Sequence, residues 1–175
     1  MLKKILSFFI LFSLIILMSC QGNQMERKYR AAYVAINGIM DSGNIDELDN
    51  YISENAVDHQ IDPSITAKTG LAGIKDVFRY YHSIFPDMKT TIHSMAVSGD
   101  TLFGYCTTVG TASQPFMGMD AGSQMTLNAV DVVVFKDGKM NEHWGFMDMG
   151  DVMKMMQQSA MVGEEEGMME GEMNQ

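Results

Sequence analysis

Apolar positions recur with a helical period before Pro86 and with a period of two after it. From about Met25 to Met40, Tyr29, Ala32, Tyr33, Ile36 and Met40 share one face, which predicts an amphipathic helix. Asp41-Ser42-Gly43-Asn44 breaks it, and Ile45 to Ser53 reads as a second short helix with Ile45, Leu48 and Ile52 inward. Val57 to Gln60 is a candidate short strand before the Asp62-Pro63-Ser64 turn. Thr69 is placed to cap a third helix running to Ile84, where Ile74, Val77, Phe78, Tyr81 and Phe85 recur at helical spacing until Pro86 stops it. Beyond it, Met88–Val97, Thr101–Gly110, Gln124–Phe135 and Lys139–Met147 read as strands. Gly99-Asp100 and Asp137-Gly138 are tight-turn signals, so the first and last pairs of strands are expected to be antiparallel hairpins. Gln114–Gly122 is a longer loop between them, and a last helix starts near Asp148 or Asp151. Helices followed by a run of antiparallel strands predict an α+β fold, one face of a curved sheet covered by helices. Phe78, Phe85, Val133, Phe135 and Trp144 are expected among the packed positions.

The first residues change the picture of where this domain works. Lys3 and Lys4 precede an apolar run, Ile5 to Met18, that is short for a membrane span but suits a secretory signal. It ends Leu17-Met18-Ser19-Cys20, which resembles the bacterial lipoprotein box, whose cysteine thiol accepts a diacylglyceryl group and becomes the new N-terminus. A conventional signal peptide with an incidental cysteine, or a short anchor, is the other reading. The expected organisation is signal peptide 1–19, tether 20–24, domain 25–158 and an acidic Met-rich tail 159–175 without order of its own. Loss of Lys3 and Lys4 lowers Lys+Arg from 12 to 10 against 22 Asp+Glu, moving net charge from −10 to −12. Such a body repels phosphate backbones, which argues against nucleic-acid partners, and it leaves attachment to the envelope membrane to the lipid on Cys20. With Cys20 acylated, Cys106 has no disulfide partner in a monomer and reads as a small buried apolar residue.

Two neighbouring strands carry the polar groups of interest. Asp131 stands alone in Leu127-Asn128-Ala129-Val130-Asp131-Val132-Val133-Val134-Phe135 and shares a face with Ala129, Val133 and Phe135. In the partner strand, alternation puts Asn141, His143, Gly145 and Met147 on one face and Met140, Glu142, Trp144 and Phe146 on the other. A hairpin centred on Asp137-Gly138 brings Asp131 and His143 to the same side. A carboxyl beside an imidazole in apolar surroundings suits proton abstraction next to a carbonyl, although a purely structural Asp–His bond fits the spacing equally well. Asn141 and Met147 are further candidates to line a ligand site. In Val57-Asp58-His59-Gln60, His59 is either a contact at a cavity mouth or an exposed loop histidine. His82 and His93 read as surface or capping residues. No zinc-like spacing, phosphate-binding glycine loop or nucleophile elbow is present. Nineteen methionines, with Met117-x-Met119, Met147-x-Met149 and Met153-x-Met155, allow either soft copper(I) ligation or plain cavity filling, and the filling role is the expectation taken forward.

The order of motifs resembles the SnoaL-like polyketide cyclases, also called ester cyclases, of the nuclear-transport-factor-2-like superfamily. The matching stretches are Tyr51–Gln60, Gly70–Phe85 with Pro86-Asp87-Met88, Thr107–Phe116, and Val130-Asp131 with Lys136-Asp137-Gly138-Lys139 and Glu142-His143-Trp144. The resemblance implies a cone of strongly bent antiparallel sheet wrapped around helices, enclosing an apolar pocket. It implies an intramolecular aldol step run by a pocket Asp, with neither cofactor nor metal. Asp131 corresponds to the strand Asp that related ketosteroid isomerases use to hold a developing oxyanion. In the cyclase pattern the catalytic Asp directly follows the His-Trp pair, and this chain has Gly145 there.

The expected activity is therefore cofactor-independent acid/base chemistry on a small, hydrophobic, carbonyl-bearing molecule, with Asp131 and His143 catalytic and His59, Asn141 and Met147 touching the ligand. The alternative is a non-catalytic module that binds a small hydrophobic ligand at the membrane. Trp144, opposite His143, is expected against a helix or against a second copy in a homodimer formed through the sheet.

Overall fold

Tyr29, Ala32, Tyr33, Ile36 and Ile39 line one side of the first helix, α1 (24–42), and all are buried against the concave face of the sheet. The computed structural model describes residues 24–157; the signal segment, Cys20, nearly all of the tether, and the tail lie outside the described residues. A 3-10 helix, Ile45–Asn50, follows α1, then β1 (Ile52–Asp58), α2 (Gly70–Ile84), β2 (Lys89–Ser98), β3 (Thr101–Thr111), β4 (Gln124–Lys136), β5 (Lys139–Met147) and a helical segment α3 (149–157). The five strands form one sheet in the order β1-β5-β4-β3-β2. This is the α+β cone expected from the sequence: helices first, then a curved sheet that wraps them.

The β2–β3, β3–β4 and β4–β5 pairs are antiparallel, and both tight turns fall where the Gly-Asp and Asp-Gly signals put them. At the second turn, Asp137 and Gly138 both have positive φ, +53° and +80°, the conformation of a type I′ hairpin loop. The short helix expected over Ile45–Ser53 is smaller than predicted. It is a 3-10 turn ending at Asn50, and Ile52 already belongs to β1, which runs parallel to β5 with Asp58 opposite His143. Propensity favours helix here, but pairing with the edge of β5 buries Ile52 and Ala56 and satisfies the backbone. Thr69 occupies the N-cap position of α2 without a side-chain capping bond.

A bulge in the last hairpin corrects the expected faces of β5. Val134 pairs with Glu142 and Phe135 with Met140, so Asn141 is the extra residue. Alternation resets there: Met140 turns inward and is 3% exposed, while His143 keeps the inner face. Phe85, Val133 and Phe135 are buried as expected, and Phe78 packs on the core edge. Trp144 is only half-buried and lies on the outer face.

The second core cluster fills the other end of the cone. Met88, Met119, Met125 and Met155 pack there with Ile84, Phe85, Ala112 and Val152, so these methionines act as flexible filler between α2, the 112–122 loop and α3. In the first cluster, Phe135 stacks on Tyr29 with ring centroids 4.6 Å apart. Phe135→Ala should therefore cost about 3–5 kcal/mol, read as a lower urea midpoint with an unchanged m-value; a midpoint within error of the parent's would show that the ring is not part of the core.

Candidate functional site

Three strands and a helix meet at Asp131. The parallel register of β1 on β5 sets Asp58 beside His143, and the β4–β5 register pairs Val133 with His143 and Asp131 with Gly145. His143 is thus the diagonal neighbour of Asp131 on the inner face. On the other side, Asp131 faces Gly104 of β3. A Cβ at Gly104 would lie 2.5 Å from the Tyr33 hydroxyl oxygen, so glycine is what lets α1 bring that ring against the sheet.

The resulting polar chain is continuous. The Tyr33 hydroxyl donates to Asp131 Oδ2 at 2.5 Å, and the Cys106 thiol donates to the same oxygen at 3.8 Å. His143 Nε2 lies 3.4 Å from Asp131 Oδ1, and its Nδ1 lies 3.0 Å from Asp58 Oδ1. The Gln60 backbone N–H donates to that same Asp58 oxygen at 2.8 Å. The Asp58 side chain is 5% exposed, Asp131 17% and His143 20%, so all three groups are largely shielded from solvent. Burial disfavours the imidazolium, but hydrogen bonds and charge from Asp131 and Asp58 outweigh it and lift the His143 pKa from 6.5 to about 9. Burial first, and the Asp131 charge second, push the Tyr33 hydroxyl well above its ordinary range and the Cys106 thiol up to about 11. At neutral pH His143 is therefore held as the imidazolium between the Asp58 and Asp131 carboxyls, and Tyr33 as the neutral phenol. Asp131 Oδ1 thus has the charged ring beside it, while Oδ2 accepts from Tyr33 and Cys106.

The remaining residues proposed from sequence are not drawn into this cluster. Asp58 turns inward, so the next residue, His59, turns outward: its ring stacks on Trp144 at 4.5 Å and its Nε2 pairs with Glu142 Oε1 at 2.9 Å on the convex face. Asn141 is the bulge residue two positions before His143. Met147 ends β5 opposite Ala129 and is half exposed. Trp144 meets His59 on the face opposite His143, rather than a helix. Cys20 lies outside the described residues. Asp58, Tyr33 and Gln60 are functional candidates that sequence reasoning passed over. The alternation between buried Ala56 and Asp58 marks Asp58 as inward, whereas Tyr33 carries no sequence mark separating it from the other core positions of α1.

Beneath Asp131 the volume is taken by Tyr33 and Cys106. Two open grooves mark the surface, about 390 Å³ between α1 and β2 (Val34, Asn37, Asp41, Thr90) and about 270 Å³ near the β4–β5 ends (Tyr105, Asn128, Phe146, Met147). Neither borders the Asp131–His143 pair. Among the described residues, no group of three or more His, Cys, Asp or Glu side chains is arranged to hold a metal ion.

The folded pKa of His143 lies above its ordinary value, so the stability it contributes is complete below about pH 6.5 and is lost as pH rises through about 9. Two measurements check this. The His143 ring resonances should titrate near 9 and at lower pH in Asp58→Asn, and the melting temperature should drop between pH 7 and 10 by more in the parent than in that variant. A parent midpoint near 6.5 would mean that the two carboxylates do not act on the ring.

No curated protein sequence matches the chain significantly. Solved structures with the same architecture include TsrD from Streptomyces laurentii, with a TM-score of 0.66 at 20% identity over 74% of this chain and 95% of that one. IdmH from Streptomyces antibioticus aligns with a TM-score of 0.63 at 23% identity, covering 73% of this chain and 96% of its own. A SnoaL-like polyketide cyclase from Agrobacterium tumefaciens aligns with a TM-score of 0.61 at 16% identity, covering 72% and 95%. At these identities the likeness speaks for the fold. The family itself is fixed by sequence: the SnoaL-like polyketide cyclase profile matches residues 25–159, the whole folded body around Asp131 and His143, and the chain belongs to that family.

Proposed function

We propose that this SnoaL-like domain carries out cofactor-independent acid/base chemistry on a small, hydrophobic, carbonyl-bearing molecule, working from the bacterial cell envelope to which a lipid on Cys20 holds it. The observation that carries the proposal is the Asp131 carboxyl, bonded to Tyr33 and flanked by the His143 ring on the inner face. Perturbed ionisable groups gathered within hydrogen-bond reach of one another are what proton transfer requires.

The step balances without an added reagent. Asp131 Oδ1 takes the proton from the carbon next to the substrate carbonyl, and the electron pair of that C–H bond moves into the enolate, whose oxygen charge is met by the imidazolium and its N–H. Asp131 then returns the proton, either to another carbon of the enolate, which isomerises the substrate, or to the alkoxide left when the enolate carbon attacks a second carbonyl, which closes a ring. While Asp131 carries the substrate proton, the Asp58 carboxyl on Nδ1 keeps its hold on the His143 ring.

A binding role without turnover is the second reading. The observation that favours it is Gly145, which leaves no acid directly after His143-Trp144. A library of carbonyl compounds incubated with the chain and with Asp131→Asn separates the two. Loss of a general base costs about 10²–10⁴-fold in rate, so turnover should fall at least 100-fold in the variant. Turnover that survives the substitution removes Asp131 from the mechanism, and tight binding with no turnover in either protein supports the binder.

The anchor has its own test. Cys20→Ala should move the protein from the membrane fraction to the soluble fraction of bacteria expressing it; a variant that stays with membranes sinks the lipid-anchor reading.

A further inference from the structure

The space that a side chain at position 145 would take is instead roofed by Gln60. A Cβ built on Gly145 lies 3.4 Å from Gln60 Cγ, 3.5 Å from Gln60 Cδ and 3.6 Å from Asp131 Oδ1. The Gln60 side chain and the exposed edge of Asp131 thus border the same small volume. The carboxamide is fixed there by its Nε2–H donating to the Gly145 carbonyl at 2.8 Å, while the backbone N–H of the same residue is tied to Asp58. Gln60 itself is solvent-exposed, so its side chain is free to leave that bond without disturbing the core.

We propose that Gln60 is the specificity-determining residue of the Asp131 site: its carboxamide stands at the space beside Oδ1 and offers its Nε2–H to a ligand carbonyl oxygen in place of the Gly145 carbonyl. A hydrocarbon of the same shape offers the amide no acceptor and gains no hydrogen bond from it, so it is bound less well. A ketone or aldehyde exchanges one carbonyl acceptor for another at little cost. The hydrogen-bonding amide therefore selects the carbonyl that the acid/base pair is placed to act on. The inference rests on the Asp131 site as the ligand site, and it concerns binding rather than turnover.

Acetophenone and ethylbenzene are near-isosteric and differ in the carbonyl, so they serve as probes. The full chain is reconstituted in lipid nanodiscs and the His143 ring resonances are followed during titration with each compound. Acetophenone should half-saturate the shift at a concentration at least tenfold below ethylbenzene. Gln60→Leu keeps the bulk and loses the donor; it should reduce that ratio below threefold while His143 still titrates near 9. A ratio unchanged in Gln60→Leu overturns the proposal, and so does a His143 signal that neither compound moves. A carbonyl preference that depends on Gln60 in a protein without turnover leaves this inference standing and removes the catalytic role of Asp131.

Discussion

The Tyr33 hydroxyl donates to Asp131 Oδ2, and β3 permits that approach only because Gly104 has no side chain. Tyr33 is 2% exposed, so its hydroxyl needs an acceptor inside the protein; a buried hydroxyl left unpaired costs about 1–3 kcal/mol. Asp131 is that acceptor. The bond therefore does two things at once: it pins α1 to the middle of the sheet, and it commits one oxygen of the carboxylate to the fold. Only the Oδ1 edge is left for His143 and for anything that enters from outside. A carboxylate with one oxygen spoken for presents its free lone pairs in a fixed direction, which is the preorganisation proton transfer needs.

Charge placement follows from that constraint. His143 lies between the Asp58 and Asp131 carboxyls, each bonded to one ring nitrogen. Burying two carboxylates beside one imidazolium is a poor way to gain stability, because desolvation of each ion offsets much of the attraction. Apolar side chains of similar size would stabilise the same spot at least as well. The arrangement is better understood as holding a proton on His143 across the neutral range, with the fold supplying the carboxylates from two different strands, β1 and β4, so that neither depends on the other for its position.

The sequence made one half of this cluster legible and concealed the other. Period-two alternation on either side of Asp137-Gly138 places Asp131 and His143 on one face, because a tight turn fixes hairpin register within a residue. It fails three residues closer to the turn, where the bulge at Asn141 sends Met140 inward and removes Asn141 from the face it shares on paper with His143. Bulges leave no compositional mark in this strand. Asp58 was out of reach for a different reason. Its meeting with His143 depends on a parallel, non-local pairing of β1 with the sheet edge, and the helical spacing of Ile45, Leu48 and Ile52 points away from a strand there. Misplacing the start of β1 drew attention to His59, whose aromatic ring stands out in the sequence, when the inward neighbour is the carboxylate before it.

Gly145 then decides what kind of chemistry the cluster can do. A carboxylate at this position would start from a Cβ 3.6 Å from Asp131 Oδ1, adding a third anion around a single imidazolium. Two carboxylates that close cannot both stay ionised, and one of them would hold a shared proton. With glycine there, Asp131 keeps its edge to itself, and the neighbouring group is a neutral amide from Gln60 that donates a hydrogen bond instead of competing for a proton. If the proposed function holds, a site with one acceptor, one cation and a neutral donor suits an uncharged carbonyl compound that becomes anionic only as it reacts. Under the proposed acid/base function, glycine at 145 leaves the proton-accepting role to the strand residue that α1 already holds in place through Tyr33.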